Sequence, residues 1–370
     1  MKLALHNFVR SRMVTTALIV TGVMLVTEAA VGVADLDCAV SELPARLSDT
    51  GLYFDIASKR IACDVLPYEP QYPLWTDGAA KKRWIRLPST TTIDASDPDH
   101  FVFPVGTRLW KEFSFGTRVE TRFMLLGADE KWRFGTYLWS VDQRDAVLAP
   151  AEGVRAACES GPGVAHDVPA RADCTACHAD GADAVLGFDA LQLSSDRDPL
   201  ASHAQVPAAD GVDLARLVRS GRVRNLPQRF VDTPPRIAAS SPRERAVLGY
   251  LDANCGMCHT QRAPIPGLDL DLSYSLTRAG PPAAIATAVE RASRFRFPGD
   301  AELQRIAPGA PDQSVLVRRM SARQPLSQMP PLGTHAVDAD ALALVRDWIR
   351  EDLVPTQSVA TNSSSHDTRN

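Results

Sequence analysis

The chain has 370 residues, of which 45% are hydrophobic and 23% are charged, and its formal net charge is −4 at pH 7. This hydrophobic content is sufficient for buried cores, so the composition excludes an intrinsically disordered protein. The slightly negative charge gives no electrostatic reason to expect a nucleic acid as a partner. The length leaves room for two or three domains after an N-terminal segment is removed.

The N-terminus has the features of a secretory signal peptide. A positively charged region that includes Arg10 and Arg12 precedes the uncharged apolar run 13–26. Small residues before Asp35 suit cleavage by signal peptidase, so residues 1–34 are predicted to be a signal peptide. The apolar run is shorter than the roughly 20 residues that span a bilayer, and an uncleaved anchor is the alternative. The mature protein is therefore expected in the periplasm, without a transmembrane segment.

Residues 35–155 are predicted to form a β-rich domain. Four segments have the alternation or the aromatic and β-branched content of strands: 83–87, 107–115, 119–126 and 131–141. Their lengths and spacing predict an antiparallel β-sandwich-like domain. Five of the six tryptophans lie in this region. Core packing is the simpler interpretation of these tryptophans, and a sugar- or substrate-binding aromatic face is the alternative.

Helical spacing of apolar residues replaces the strand pattern after a boundary at 149–173, where Gly, Pro, Ala and acidic residues dominate. Ser241 and Glu244 form a capping box that begins a helix running directly into Cys255. Two further helices are predicted, one over 213–220 and one that Asp338 caps. The polar tail, 356–370, is predicted to be disordered.

One five-residue pattern, Cys-x-x-Cys-His, occurs twice in the chain. It is the attachment signature of c-type haem, in which two sulfurs form thioethers to the porphyrin edge and the histidine ligates the iron. The residues of the two copies are Cys174, Cys177 and His178, and Cys255, Cys258 and His259. Two copies in one exported chain predict two covalently attached haem c groups.

The second copy has the surroundings of a mono-haem cytochrome c domain, so residues 241–355 are predicted to form one. Such a domain usually supplies the sixth iron ligand from a loop shortly before its last helix, and here that loop contains Met329. A thioether is a soft ligand that raises the haem potential relative to a second histidine. Met320, expected on a helix, is the rival ligand, and packing in the core is the alternative role for Met329.

The first copy lies in a predicted haem-binding segment, residues 160–240, and its sixth ligand is less evident. His203 is the candidate, and it would give two histidine ligands and a lower potential than at the second site. His166 is an alternative, and Met124 is another if the β-rich region packs against this segment. An open sixth position would instead permit small-ligand or peroxide chemistry.

Two other uses of paired cysteines fit the sequence less well. A four-cysteine zinc site normally holds its pairs about 15 to 20 residues apart, whereas Cys177 and Cys255 are much further apart. A thioredoxin-like pair requires a surrounding βαβ pattern, which neither copy has. Of the remaining cysteines, Cys38 and Cys63 could form a disulfide in an oxidising compartment, which would leave Cys158 unpaired.

Several further segments accompany the two signatures: Tyr72-Pro73-Leu74-Trp75-Thr76-Asp77-Gly78-Ala79, Phe103-Pro104-Val105-Gly106-Thr107, Glu120-Thr121-Arg122, Leu186-Gly187-Phe188, Leu191-Gln192-Leu193, Tyr250-Leu251-Asp252-Ala253-Asn254-Cys255 and Met329-Pro330-Pro331-Leu332-Gly333. With them, the chain resembles a family of bacterial diheme c-type cytochromes over most of its length. The resemblance implies a periplasmic haem protein with an N-terminal domain that carries no haem. It leaves the redox partner or substrate open.

The expected fold class is α+β and multidomain, with the β-sandwich-like domain followed by a mainly helical, cytochrome c-like haem region. The leading hypothesis is a periplasmic electron-transfer protein that relays electrons between a donor, for example a dehydrogenase, and the respiratory chain. The alternatives are a peroxidase- or oxidase-like haem enzyme acting on a small molecule at the first haem, and a haem-based sensor. No carboxylate pair or nucleophile arrangement specifically supports the enzyme.

Overall fold

One six-stranded antiparallel sheet dominates the N-terminal part of the chain. The structure is a computed structural model, and it describes residues 43–161, 164–178, 184–262, 265–299 and 302–353. The strands of the described residues are β1 (Tyr53–Asp55), β2 (Arg60–Ile61), β3 (Leu66–Pro67), β4 (Ala80–Arg86), β5 (Ile93–Asp94), β6 (Arg108–Phe115), β7 (Thr117–Leu126), β8 (Trp132–Trp139), β9 (Ala146–Leu148), β10 (Val154–Gly161), β11 (Val164–Val168) and β12 (Val223–Arg224). The order in the large sheet is β3-β4-β6-β7-β8-β9. The four strand segments predicted from alternation are confirmed as β4, β6, β7 and β8.

One face of the sheet is aromatic and is covered by the N-terminal segment. Trp84, Trp110 and Phe123 lie opposite one another on β4, β6 and β7. They pack with Leu47 and Leu52 from the segment that precedes the sheet. Because side chains alternate between the two faces of a strand, the residues on either side of these aromatics point to the other face. The core interpretation of the tryptophans is confirmed for the two named here.

The other face of the sheet packs against the segment that follows the first signature. Ile85 and Leu109 from this face form one apolar cluster with Phe101, Phe188 and Leu193. The backbone contributes as well, because β5 pairs in parallel with β12. The sheet is therefore joined directly to residues beyond the first signature.

The helices are short. Those of the described residues are α1 (Arg171–Cys177), α2 (Leu214–Arg219), α3 (Gln228–Asp232), α4 (Pro242–Leu251), α5 (Ala283–Ala288), α6 (Val315–Ser321) and α7 (Ala339–Asp347). The three predicted helices are confirmed as α2, α4 and α7, and the predicted caps of α4 and α7 form. The side chains of Asp213, Ser241 and Asp338 each accept a backbone N–H of the first turn, which satisfies a donor that has no partner within the helix.

The C-terminal core forms where α4, α6 and α7 meet. Val247, Val317 and Val345 come from the three helices, and Trp348 is completely buried beside them. Tyr72 reaches this core from the N-terminal region. Gly249 is required for this contact, because a Cβ at that position would lie 2.2 Å from the Tyr72 ring.

The expected fold class, a β-sandwich-like domain followed by a mainly helical cytochrome c-like region, is wrong. Sheet dominates the regular structure, and the seven helices of the described residues are only 5 to 10 residues long. Prolines explain the short helices, because a proline lacks the N–H that a helix interior needs. Pro234-Pro235, Pro281-Pro282 and Pro330-Pro331 interrupt the region where longer helices were expected. In place of a sandwich partner, the described residues supply only two-stranded sheets beside the large one.

The predicted domain boundaries at residues 155–160 and 240 stay a prediction. Hydrogen bonds of side chains connect the segments on either side of these boundaries. Gln71 donates from Nε2 to the Leu191 carbonyl oxygen at 2.6 Å, and the Trp75 N–H donates to Asn254 Oδ1 at 2.8 Å. The predicted signal peptide, Cys38 and the C-terminal tail lie outside the described residues. Within the described ranges, no helix is both long and apolar enough to cross a membrane.

Candidate functional site

The first Cys-x-x-Cys-His copy lies on α1 and at its C-terminal end. The His178 backbone N–H donates to the Cys174 carbonyl oxygen at 2.8 Å, which closes a helical turn around Cys177. Residues three and four apart lie on one face of a helix, so this turn presents the three side chains together. The local geometry fits two attachment sulfurs followed by a proximal ligand.

The His178 imidazole is held through one of its two ring nitrogens. Nδ1 lies 2.7 Å from the Ala184 carbonyl oxygen, and a carbonyl can only accept a hydrogen bond. Nδ1 therefore carries the proton and Nε2 keeps a free lone pair, which is how a metal-ligating histidine is usually oriented. Burial lowers the pKa of His178 to about 4, so the ring is neutral at neutral pH, as a metal ligand must be.

The second copy follows α4 without a break in the helical backbone. The π-helical turn Asp252–Gly256 carries Cys255, and the His259 N–H donates to the Cys255 carbonyl oxygen at 2.9 Å. A π-helical turn within an α-helix frequently marks a functional site. Gly256 allows a close approach here, since a Cβ would lie 3.0 Å from the Cα of Ser273.

The His259 side chain has an uncompensated polar atom. Its Nδ1 is buried and has no hydrogen-bond partner among the described residues. A buried polar atom without a partner costs about 1–3 kcal/mol, and this cost is tolerated more readily where another interaction orders the ring. Burial also lowers the pKa of His259, so the ring is neutral and able to ligate a metal.

Both copies line one cavity with a volume of about 1340 Å³. A pocket for a single drug-sized ligand measures roughly 300–1,000 Å³, so this cavity exceeds what one such ligand requires. The second cysteines of the two copies lie close enough inside it for their thiols to interact. This interaction and burial raise the pKa of Cys177, and the same interaction lowers the pKa of Cys258 to about 7.

Met329 lines the same cavity from a loop before α7. Its N–H donates to the Arg319 carbonyl oxygen at 3.0 Å, which attaches the loop to α6. Asp77 fixes the continuation of the loop, because its Oδ1 accepts from the N–H groups of His335 and Ala336, each at 2.8 Å. The rival Met320 lies on α6, as expected, and is buried in the C-terminal core.

His203 does not line the cavity. Its Nε2 lies 2.8 Å from Asp338 Oδ1, so the imidazole interacts with the residue that caps α7. The structure does bring the two alternatives to the cavity wall, where Met124 and His166 both contribute. His166 is almost completely buried, and its Nε2 lies 3.3 Å from Glu120 Oε1.

A row of basic side chains, which the sequence did not predict as functional, lies on the cavity side of the sheet. Arg83, Lys111 and Arg122 lie opposite one another on β4, β6 and β7, and all three line the cavity. The alternation of residue types along the strands could have indicated this row. Each of the three basic residues is adjacent in sequence to an aromatic residue that packs on the other face. Charged residues that alternate with aromatics on a strand usually face solvent, so the sequence pattern alone gave no reason to place these three in a site.

The side chains fit covalently held haem in three respects: two neutral histidines, a thioether, and a cavity that contains both signatures. Among residues 43–353, leaving aside the gaps in the described ranges, no three His, Cys, Asp or Glu side chains converge as a metal-binding group. No protein-family model, curated protein or solved structure matches the chain.

Proposed function

We propose that the protein is a periplasmic diheme c-type cytochrome that transfers electrons between a donor, for example a dehydrogenase, and the respiratory chain. The observation that carries the proposal is the meeting of the two signatures in one cavity, which residues of both copies line. Attachment residues that share one cavity favour two redox groups held as a pair, which suits a relay of electrons.

The chain's own residues have distinct roles in this proposal. Cys174 and Cys177 hold one haem and Cys255 and Cys258 the other, while His178 and His259 are the proximal ligands. Met329 is the sixth ligand at the second site. When bound, haem supplies one-electron redox chemistry, and the protein sets its potential through ligand identity, burial and hydrogen bonds.

The contacts of the described residues support one part of this proposal most directly, namely that the iron ligands are held in fixed positions. The Ala184 carbonyl keeps the proton of His178 on Nδ1, so Nε2 is presented with its lone pair. Asp77 and the Arg319 carbonyl fix the loop that carries Met329 on both sides of the thioether. A ligand held in one position in both oxidation states lowers the reorganisation that accompanies electron transfer.

A second candidate function is a peroxidase- or oxidase-like haem enzyme that acts on a small molecule at the first haem. The hydrogen bond between His203 and Asp338 favours it, because the expected sixth ligand is then engaged elsewhere. An enzyme of this kind requires a sixth position that an external ligand can enter.

The test is spectroscopy on protein matured in the periplasm, after its mass has given the number of attached haems. A carrier should contain two low-spin haems, one with the red charge-transfer band of methionine–iron ligation. Met329→Ala should abolish that band, whereas the volume-conserving Met320→Leu should leave it unchanged. Survival of the band in Met329→Ala would overturn the ligand assignment, and a mass without haem would overturn the proposed function.

A further inference from the structure

Lys111 is a basic residue in an unusual position, on a central strand and at the wall of the cavity. The register of the sheet places Arg83 on one side of it and Arg122 on the other. Directly opposed residues on neighbouring strands have Cβ atoms about 4.5–5.5 Å apart, and like charges in such positions repel one another. A lysine between two guanidinium groups therefore needs a compensating interaction.

The two arginines each have a carboxylate, and these carboxylates are already engaged. Arg83 lies 2.7 Å from Glu69, and Arg122 lies 2.7 Å from Glu120. Glu120 also contacts His166. The two ion pairs engage both arginines, whereas Lys111 has no carboxylate at ion-pair distance among the described residues.

The Lys111 amine contacts the ring of Phe113, with Nζ 5.1 Å from the centroid. That ring is shared, because Arg122 lies 4.4 Å from it and Lys81 lies 5.9 Å from it. A cation–π contact provides about 0.5–2 kcal/mol, and sharing a ring divides this small gain. Burial, followed by the charges of Arg83 and Lys81, lowers the pKa of Lys111 well below its usual value.

The amine and the first proximal histidine approach the same part of the cavity. The His178 ring lies 5.4 Å from the ring of Phe134 on β8. Phe134 is opposite Met124, which is opposite Leu109, and Leu109 and Lys111 lie on the same face of β6. The imidazole therefore lies against the sheet face from which Lys111 projects.

Three other residues are candidates for the sixth ligand of the first haem. His203 does not line the cavity, and its imidazole interacts with Asp338. The Nδ1 of His166 is buried without a hydrogen-bond partner among the described residues, and its Nε2 faces Glu120. Met124 packs against the apolar cluster between the sheet and the segment after α1. Within the basic row on the cavity wall, Lys111 is the residue without a carboxylate at ion-pair distance among the described residues.

We propose that the Lys111 amine is the sixth ligand of the haem attached at Cys174 and Cys177, an inference that rests on the proposed function. A coordinated amine is neutral, so ligation removes the repulsion within the basic row. It also closes the sixth position at the first haem, which favours the electron carrier over the enzyme.

The experiment begins with the mass of the periplasm-matured protein and its variants, which reports two attached haems independently of their ligands. Near-infrared magnetic circular dichroism of the wild type should then show two low-spin ferric haems, one with a band typical of amine–imidazole ligation. Lys111→Ala should convert one of the two haems, about half of the low-spin signal, to a high-spin form that binds cyanide readily. Lys111→Arg keeps the positive charge but cannot ligate, so it should have the same effect.

Lys82→Ala is the matched control, because Lys82 is an exposed lysine on β4 and should leave both haems low-spin. Two unchanged low-spin haems in Lys111→Arg would show that the residue acts as a charge and would overturn the proposal. Loss of low-spin haem in Met124→Leu instead of the Lys111 variants would also overturn it. If Lys111→Ala fails to fold, the near-infrared band of the wild type and the spin state of the haems in Lys111→Arg test the proposal instead. A mass without haem contradicts the proposed function itself and is detected before any spectrum.

Discussion

Asp77 connects the N-terminal region to the loop that follows Met329, and its removal should destabilise the protein. Its carboxylate is 6% exposed and accepts two backbone N–H groups through Oδ1. A hydrogen bond to a charged group contributes about 1.5–3 kcal/mol. We therefore expect Asp77→Gly to lower the free energy of unfolding by about 3 kcal/mol or more, and Asp77→Asn, which keeps an acceptor oxygen, to lose about half as much.

Glycine is the informative replacement because Asp77 has a φ of 47°, a backbone conformation that alanine would adopt only with strain. Glu130→Gly is the matched control, since Glu130 is exposed and has a φ of 59°. The control carries the same glycine effect on the unfolded chain and should change the free energy of unfolding by no more than about 1 kcal/mol. Urea unfolding gives both values. Equal losses in Asp77→Gly and Glu130→Gly would refute the assignment of stability to the two hydrogen bonds.

Two further variants test contacts near the second signature. Asn254→Ala should lower the free energy of unfolding in urea by about 2–3 kcal/mol, because Asn254 bonds the Trp75 N–H and the carbonyl oxygens of Pro73 and Tyr250. A loss below about 1 kcal/mol would contradict this. Burial raises the pKa of Asp252 from 3.8 to about 7, so the folded state binds more protons than the unfolded state in that window. Stability should therefore fall as pH rises from about 4 to about 7, and Asp252→Asn should reduce this fall, by up to about 1.4 kcal/mol per pH unit. An identical pH profile in the variant would contradict the prediction.

The sequence was informative wherever a local rule decides the structure. Alternation and the aromatic and β-branched content predicted the four long strands, and Ser241 and Asp338 were recognisable as helix caps because capping depends only on the next three residues. The residues of both signatures could be named for the same reason. Their motif is contiguous, and its spacing predicts the haem attachment that we propose.

What the sequence did not predict depends on pairings between distant residues. The parallel contact of β5 with β12 joins segments about 130 residues apart, and the wrong fold class followed from expecting the haem region to fold by itself as helices. His203 illustrates the same limit. Its partner, Asp338, is 135 residues away, so nothing in the surrounding sequence distinguishes this hydrogen-bonded histidine from a ligand.

The six-stranded sheet forms part of the candidate site itself and is not only a domain attached beside it. One of its faces is an aromatic core closed by the N-terminal segment, and the other lines the cavity that holds both signatures. Phe134 contacts the imidazole of His178, and the row of Arg83, Lys111 and Arg122 sets the charge of the cavity wall. Charged side chains held on fixed strands act on any group in the cavity without a conformational change. The sheet is therefore a structural part of the candidate site, and substitutions on its cavity face should change the properties of the proposed haems.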